Sequence, residues 1–194
     1  MAITLKDGTG SGSHAKVTEN GRITTLSVEE GIAAHHAFEG QSYNINTGTV
    51  NLTSASKSAL LYFKNNEDEP IIVTGFFYLL GNPNNTGETL VQIERNPSSA
   101  SFSTALTPIN RDFGSQNTLT VDCYKGAEAA TLSGGTVAIE SLFSGVGRQT
   151  VLVGAVILRK GNSIGVTVTP PTSNTSMNVQ IAMAVYKAIE TTEV

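Results

Sequence analysis

From residue 43 onward, apolar and polar residues alternate in short segments, and this period of two predicts β-strands. The last segment is the clearest, because Val179, Ile181, Met183 and Val185 alternate with polar or small residues. Clusters of Gly, Asn, Ser and Pro separate the segments and predict turns. Other segments with this pattern are 58–64, 71–80, 89–95, 119–123 and 164–169.

Three local features refine this prediction. Gly75, inside the segment 71–80, predicts a bulge or a bend. Val137 and Ile139 are two residues apart and are predicted to share one face of a strand. The segment 150–158 is almost continuously apolar, which predicts a central strand covered on both sides.

The fold class follows from many strands and few helices. Only the segment 28–38, with Glu29, Glu30 and three alanines, is predicted to form a short helix. About eight to ten strands joined by hairpins and long polar loops predict an all-β fold. We expect a two-sheet antiparallel sandwich or jelly roll with an extended N-terminal arm.

The N-terminal region differs from the rest of the chain. Residues 7–13 contain three glycines in alternate positions and nothing to bury, which predicts an extended arm. Asn20-Gly21 predicts a tight turn between two short strands. We therefore predict an N-terminal arm with a hairpin and a short helix over 1–40, a β-sandwich domain over 41–189 and a disordered tail over 190–194.

Composition narrows the classes of function. Charged residues make up 14% of the chain, and Ser, Thr and Asn take their place. The net charge of −4 argues against a protein that binds nucleic acid by neutralising phosphates. No apolar run is long enough to cross a bilayer, and no secretory signal is visible, so we expect neither membrane nor nucleic acid as a partner.

Candidate catalytic and metal-binding residues are few. His35 and His36 are adjacent, so their side chains diverge, and a surface turn or a subunit contact explains them better than a shared metal. The acidic run 67–69 is predicted to be a solvated loop tip rather than a calcium loop. Cys123 is the single cysteine. We therefore assign no catalytic, cofactor-binding or metal-binding residue, and we expect no cofactor and no enzyme activity.

Two binding functions are open at this level. Low charge density and many hydroxyl and amide groups suit a protein packed beside copies of itself, with hydrogen bonds across wet interfaces. Aromatic residues in the strands could instead supply a sugar-stacking platform, although the chain has no Trp. The alternative is therefore a carbohydrate-binding β-sandwich module.

The N-terminal segment carries a family resemblance. Residues 6–17, followed by Asn20-Gly21-Arg22-Ile23, resemble a recurrent opening of small virion structural proteins of tailed bacteriophages. The segment 40–45 and, further on, Arg95-Asn96-Pro97 are similar to that group in order and spacing. The resemblance covers roughly the first hundred residues and includes no motif with its own chemistry.

The resemblance implies a non-enzymatic protein of the virus particle, assembled in the host cytoplasm. The leading expectation is a head decoration (cement) protein that binds the capsid surface as a homo-oligomer, with a trimer favoured. The alternative that the resemblance implies is a tail- or fibre-associated carbohydrate-binding β-sandwich module. The partners of a decoration protein would be further copies of itself and the major capsid protein or other virion proteins. We expect residues 3–26 to supply contacts with a neighbouring subunit or the capsid. The candidate interface residues in this segment are His14, Lys16, Val17, Arg22 and Ile23.

Overall fold

The structure is a computed structural model, and it describes residues 16–17, 23–24, 32–81, 87–144, 147–151, 156–172 and 176–188. Within these ranges the chain forms sixteen strands and one helix, α1 (Ile32–Phe38), which lies inside the predicted helical segment. The strands are β1 (Lys16–Val17), β2 (Ile23–Thr24), β3 (Ser42–Leu52), β4 (Ser58–Asn65), β5 (Ile71–Gly81), β6 (Glu88–Arg95), β7 (Ser99–Ala100), β8 (Thr104–Ala105), β9 (Ile109–Asn110), β10 (Val121–Lys125), β11 (Leu132–Ser133), β12 (Thr136–Ser144), β13 (Gly147–Val151), β14 (Val156–Leu158), β15 (Ser163–Thr169) and β16 (Met177–Lys187).

Two antiparallel sheets make up the body of the protein. The first, sheet A, has the order β13-β5-β16-β3-β9, and β14 also pairs with β5. The second, sheet B, has the order β12-β6-β15-β4-β10-β8. Both sheets contribute to one apolar core, so the two layers form a sandwich.

The order of the long strands is that of a jelly roll. Successive strands alternate between the sheets, with β3 in A, β4 in B, β5 in A and β6 in B. Between β6 and β12 the short strands β8 and β10 join sheet B and β9 joins sheet A. The long strands then continue with β12 in B, β13 and β14 in A, β15 in B and β16 in A. This winding of an antiparallel sandwich is the jelly-roll arrangement, which confirms the predicted fold class.

The core follows the predicted period of two. Val179, Ile181, Met183 and Val185 of β16 are all buried between the sheets. β16 lies between β3 and β5 in the middle of sheet A, so its apolar face meets the inner face of sheet B. The predicted irregularity at Gly75 is also present, because the register of β5 against β16 shifts beside it.

The segment between β6 and β12 folds over the outer face of sheet B. Part of this segment, β10, is itself a strand of sheet B, and there Tyr124 stacks on Tyr62 of the neighbouring β4, with the ring centroids 6.0 Å apart. The side chain of Leu132 packs directly on Gly165 of β15. Any larger residue at position 165 would overlap Leu132, so this contact requires glycine. The N–H of Ala59 donates to the carbonyl of Ala130 at 2.8 Å. The outer face of sheet B is therefore largely covered by the chain itself.

Two local predictions are wrong. A bulge separates Val137 from Ile139, so Val137 pairs with Glu94 and is 43% exposed, whereas Ile139 packs against the core. The apolar segment 150–158 is not a central strand. It contributes to β13 and β14, which both pair with β5 at the border of sheet A.

Contacts divide the chain into two units, residues 1–31 and residues 32–194. In the first unit, β1 and β2 pair antiparallel, with Val17 opposite Ile23 and Lys16 opposite Thr24. The second unit is the jelly roll with α1. The predicted division into an arm over 1–40, a domain over 41–189 and a tail over 190–194 stays a prediction, and residues 190–194 lie outside the described residues.

Candidate binding surfaces

The predicted interface residues of the arm are only partly described. Lys16 and Val17 form β1, and Ile23 begins β2, so these three lie in the short antiparallel pair that was predicted around Asn20-Gly21. His14 and Arg22 lie outside the described residues. A contact of any of the five with another protein stays a prediction.

The adjacent histidines diverge, but His36 is not at a surface turn as predicted. Its ring is buried and stacks on Tyr186, with the centroids 4.3 Å apart. Burial, and then the neighbouring His35, lower the pKa of His36, which favours the neutral ring inside the fold. In the described part of the chain, no three His, Cys, Asp or Glu residues lie close enough to hold a metal ion.

The acidic run before β5 is solvated at Asp68, as predicted, but Glu67 and Glu69 belong to an ionic cluster. The side chain of Glu67 is 13% exposed, accepts a hydrogen bond from the N–H of Thr120 and lies 3.5 Å from the ammonium of Lys187. The same ammonium lies 3.5 Å from Glu69. Burial alone would raise the pKa of Glu67, but these donors outweigh it and lower the pKa. The cluster ties the loop to the end of β16.

Cys123 is buried in the core on β10. Burial raises the pKa of its thiol to about 12, so almost no thiolate exists at neutral pH. This environment is that of a structural cysteine rather than of a nucleophile.

β12 gives sheet B a long open border. Among the described strands it pairs with β6 alone, through eight of its nine residues, whereas the opposite border of the sheet is the two-residue strand β8. Val137 and Leu142 of β12 are 43% and 60% exposed. Its one charged residue, Glu140, accepts a hydrogen bond from the side chain of Gln92 at 2.6 Å. A long border with so little charge is a template for pairing with another strand.

The outer face of sheet A carries a second surface, which we call the amide groove. It is a depression of about 450 Å³ that opens to solvent. Asn44 and Asn46 of β3 line one side, Phe77 and Leu79 of β5 line the other, and Gln180 and Ala182 of β16 lie between them.

The depth of the amide groove follows from the register. Ala182 pairs with Asn46 on one side and with Phe77 on the other, so a methyl group lies between two larger side chains. Ala184 pairs with Asn44 and Gly75, which continues the low floor along β16. A second depression of about 290 Å³ adjoins the first and shares Leu79 and Gln180 with it.

Hydrogen bonds hold the amides of the groove in one orientation. The side-chain oxygen of Asn46 accepts from the N–H of Gly48 at 2.7 Å and from the side-chain nitrogen of Gln180 at 2.9 Å. These bonds use the oxygen of Asn46 and the nitrogen of Gln180, so the other atom of each amide is a hydrogen-bond donor in Asn46 and an acceptor in Gln180. Further along, the nitrogen of Asn51 donates to Asn178 at 2.9 Å.

The three strands that line the amide groove carry no charged residue over most of their length. β3 and β5 contain no Asp, Glu, Lys or Arg, and β16 contains only Lys187 at its end. This groove was not predicted from the sequence. A signal was present in β3 and β16, where amide and small residues occupy alternate positions, but nothing in the sequence showed that these strands and β5 are neighbours.

The comparisons with known proteins identify no family. No protein-family model and no curated protein matches the sequence. Among solved structures, T=1 particles derived from infectious bursal virus match at 9% identity with a TM-score of 0.21, over 76% of this chain and 40% of that chain. The VP2 subviral particle of infectious bursal disease virus matches at 9% identity with a TM-score of 0.19, over 76% of this chain and 41% of that chain.

Both similar structures are viral particles, and the likeness to them is weak. The chain spans about two fifths of the length of the proteins it matches. At these scores the matches do not indicate what this chain does. Separately, no described helix has the length and apolar character needed to cross a membrane.

Proposed function

We propose that this chain is a non-enzymatic structural protein of a virus particle, a head decoration (cement) protein that binds the capsid surface as a homo-oligomer, with a trimer favoured. The resemblance of residues 6–45 to small virion proteins of tailed bacteriophages supports this proposal. The observation that carries it is the open border at β12, since an assembly protein needs a surface that another chain completes.

The proposed contact is strand addition at β12. A ring of three identical subunits requires two different surfaces to meet at each contact, because a surface that pairs with itself closes at a dimer. The border of β12 is one such surface, and residues 3–26 of the neighbouring subunit are the proposed second one. Lys16, Val17 and Ile23 already have extended backbones, which is the conformation that strand addition uses.

The exposed apolar side chains of β12 supply the energy of this contact. Leu142 is 60% exposed, and covering a leucine fully is worth about 1.5 to 3 kcal/mol. Replacing it by lysine removes that gain and places a charge on the border, which is how natural sheets prevent such pairing. The Leu142→Lys variant should therefore lose the oligomer without losing the fold.

The test measures molar mass in solution by light scattering. We expect a trimer of the full chain, a monomer for Leu142→Lys, and an unchanged trimer for the matched control Ile109→Lys. Ile109 is 57% exposed on β9 at the other end of the sandwich. A wild-type chain that stays monomeric at high concentration, or a Leu142→Lys variant that still forms trimers, overturns the proposed contact.

The virion role has its own test. Virions purified from the phage stock that encodes the chain are analysed by mass spectrometry, and we expect the protein in many copies per particle. Removing residues 2–13 should lower its occupancy on particles while the thermal unfolding of the domain stays the same. Absence of the protein from purified virions refutes the role, and unchanged occupancy of the shortened chain refutes the contribution of the arm.

A further inference from the structure

We infer that the amide groove on sheet A is a binding site for an uncharged oligosaccharide. This site is on the opposite sheet from β12, and its existence does not depend on the proposed assembly role. It would give the protein a second function, attachment to a neutral polysaccharide.

The volume and shape of the groove suit a small ligand. A depression of about 450 Å³ lies within the range of ligand pockets in proteins, roughly 300–1,000 Å³. The floor runs along β16 from Asn178 to Ala184, and six steps of a strand span about 20 Å. That length accommodates a chain of sugar rings rather than a single one.

The two sides of the groove match the two kinds of surface on a sugar ring. Asn44 and Asn46 line one side with amide groups, each of which both donates and accepts hydrogen bonds. Phe77 and Leu79 line the other side with apolar surface, and Leu79 is 46% exposed. A sugar presents hydroxyl groups at its edge and C–H groups on its face, so one ring can satisfy both sides at once.

The amides are also held in place before any ligand arrives. The bonds from Gly48 and Gln180 to the oxygen of Asn46 restrict that side chain to one orientation. A ligand therefore pays little conformational entropy for ordering it, which favours binding. These bonds use the oxygen of Asn46 and the nitrogen of Gln180, so the nitrogen of Asn46 is the donor and the oxygen of Gln180 the acceptor that we propose for sugar hydroxyl groups.

The strands that line the groove favour a neutral ligand. β3 and β5 contain no Lys or Arg, the side chains that an acidic polysaccharide or a phosphate would need. The cations at the borders of the groove are Lys125, which donates to the carbonyl of Thr49, and Arg148 of β13, which is opposite Leu79 in the register. A second copy of the protein is the competing occupant, and the test below separates the two.

The experiment is an NMR titration of the isotopically labelled full chain with maltotetraose, cellotetraose, mannotetraose and N-acetylchitotetraose, up to millimolar concentration. An oligomer of galacturonic acid serves as the anionic comparison. We expect at least one neutral tetrasaccharide to shift the backbone signals of β3, β5 and β16, and the anionic oligomer to shift none of them.

Three variants locate the site. Ala182→Phe fills the floor of the groove and should abolish binding. Asn46→Ala should weaken binding about fivefold, because one hydrogen bond is worth about 1 kcal/mol and 1.4 kcal/mol would be tenfold. Ala105→Phe, at an exposed alanine of sheet B, is the matched control and should bind like the wild type. Thermal unfolding verifies that each variant is folded.

Several outcomes overturn the inference. Shifts confined to other strands, or binding that survives Ala182→Phe, place the sugar elsewhere. No shift with any of the four neutral sugars refutes an oligosaccharide site of this kind. If Ala182→Phe instead lowers the molar mass of an oligomer while no sugar binds, the face is a contact between protein copies. None of these results depends on Leu142→Lys, so failure here and failure of the proposed assembly are distinguishable.

Discussion

Gly126 offers a stringent test of how the chain covers sheet B. It follows β10, at the point where the chain leaves that sheet, and its N–H donates to the carbonyl of Leu60 at 3.0 Å. A Cβ built on Gly126 would overlap the carbonyl oxygen of Ala59, far inside the 3.0 Å limit that real Cβ atoms respect. Because the overlapping atom belongs to the backbone, no change of side-chain rotamer can relieve the overlap. The Gly126→Ala variant must therefore push the backbone at residue 126 away from the backbone at Ala59.

The cost can be worked from the contacts that this displacement disrupts. The N–H of Gly126 and the carbonyl of Leu60 would separate, and so would the N–H of Ala59 and the carbonyl of Ala130, now 2.8 Å apart. Two such hydrogen bonds are worth about 2 kcal/mol. Overpacking adds about 1 to 3 kcal/mol. Gly126→Ala should therefore lower the free energy of unfolding by about 3 to 5 kcal/mol, a large share of a typical total of 5–15 kcal/mol.

Gly81→Ala is the matched control. A Cβ at Gly81 meets its nearest neighbours, the carbonyl oxygen and Cβ of Asn178, at 3.5 and 3.7 Å, which are ordinary contacts. Both variants replace glycine by alanine, so the change in the entropy of the unfolded chain is the same and cancels in the comparison. The difference between them isolates the overlap with Ala59.

The assay is equilibrium unfolding in urea, followed by circular dichroism. We expect the midpoint of Gly126→Ala to fall while its m-value stays close to that of the wild type, and Gly81→Ala to stay within about 1 kcal/mol of the wild type. If the two variants differ by less than about 1 kcal/mol, the close approach of the two backbones is wrong, and so is the reasoning that depends on it.

Three further predictions test the core and the ionic cluster. Glu67 has a lowered pKa in the folded chain, so the stability it contributes is present above its ordinary pKa of 4.5 and is lost as the pH falls through the folded value. The Glu67→Gln variant should therefore show a smaller loss of melting temperature on acidification; an unchanged acid profile would contradict this. Cys123, whose pKa is raised to about 12, should react with Ellman's reagent at pH 8 only as fast as the domain opens, and a fast reaction in native buffer would refute its burial. Ile181→Ala should cost about 2 to 5 kcal/mol in urea unfolding because Ile181 is fully buried, whereas Leu142→Ala at an exposed position should cost less than about 0.5 kcal/mol.

The candidate binding surfaces were less predictable than the fold. The predicted interface residues of the arm were chosen from a resemblance, and their role stays a prediction. The amide groove was missed because Asn46, Phe77 and Ala182 are far apart in the sequence and meet only through the pairings of β16 with β3 and β5. The acidic run at Glu67 was predicted to be solvated for a similar reason, since its partner Lys187 lies 120 residues away.

Local pattern was sufficient to determine most of the long strands and, in strands such as β16, which side chains are buried. The alternation of Val179 to Val185 and the short helix before residue 39 depend on neighbours in the chain, and the structure has both. Gly75 indicated where β5 is irregular, although the irregularity itself is a shift in the pairing of β5 with β16. Two packed sheets are the usual way for such strands to bury one face each, so the class of fold followed as well.

Only the tertiary structure decided where each strand lies in its sheet. The apolar run over 150–158 is typical of a central strand, yet it lies at a border, since its segments pair with β5 alone among the described strands. The bulge that separates Val137 from Ile139 likewise exists only in the pairing of β12 with β6. The physical reason is that the direction of a side chain is set by its own backbone, whereas an edge, a groove or an ion pair is set by hydrogen bonds and contacts between segments that the sequence keeps far apart.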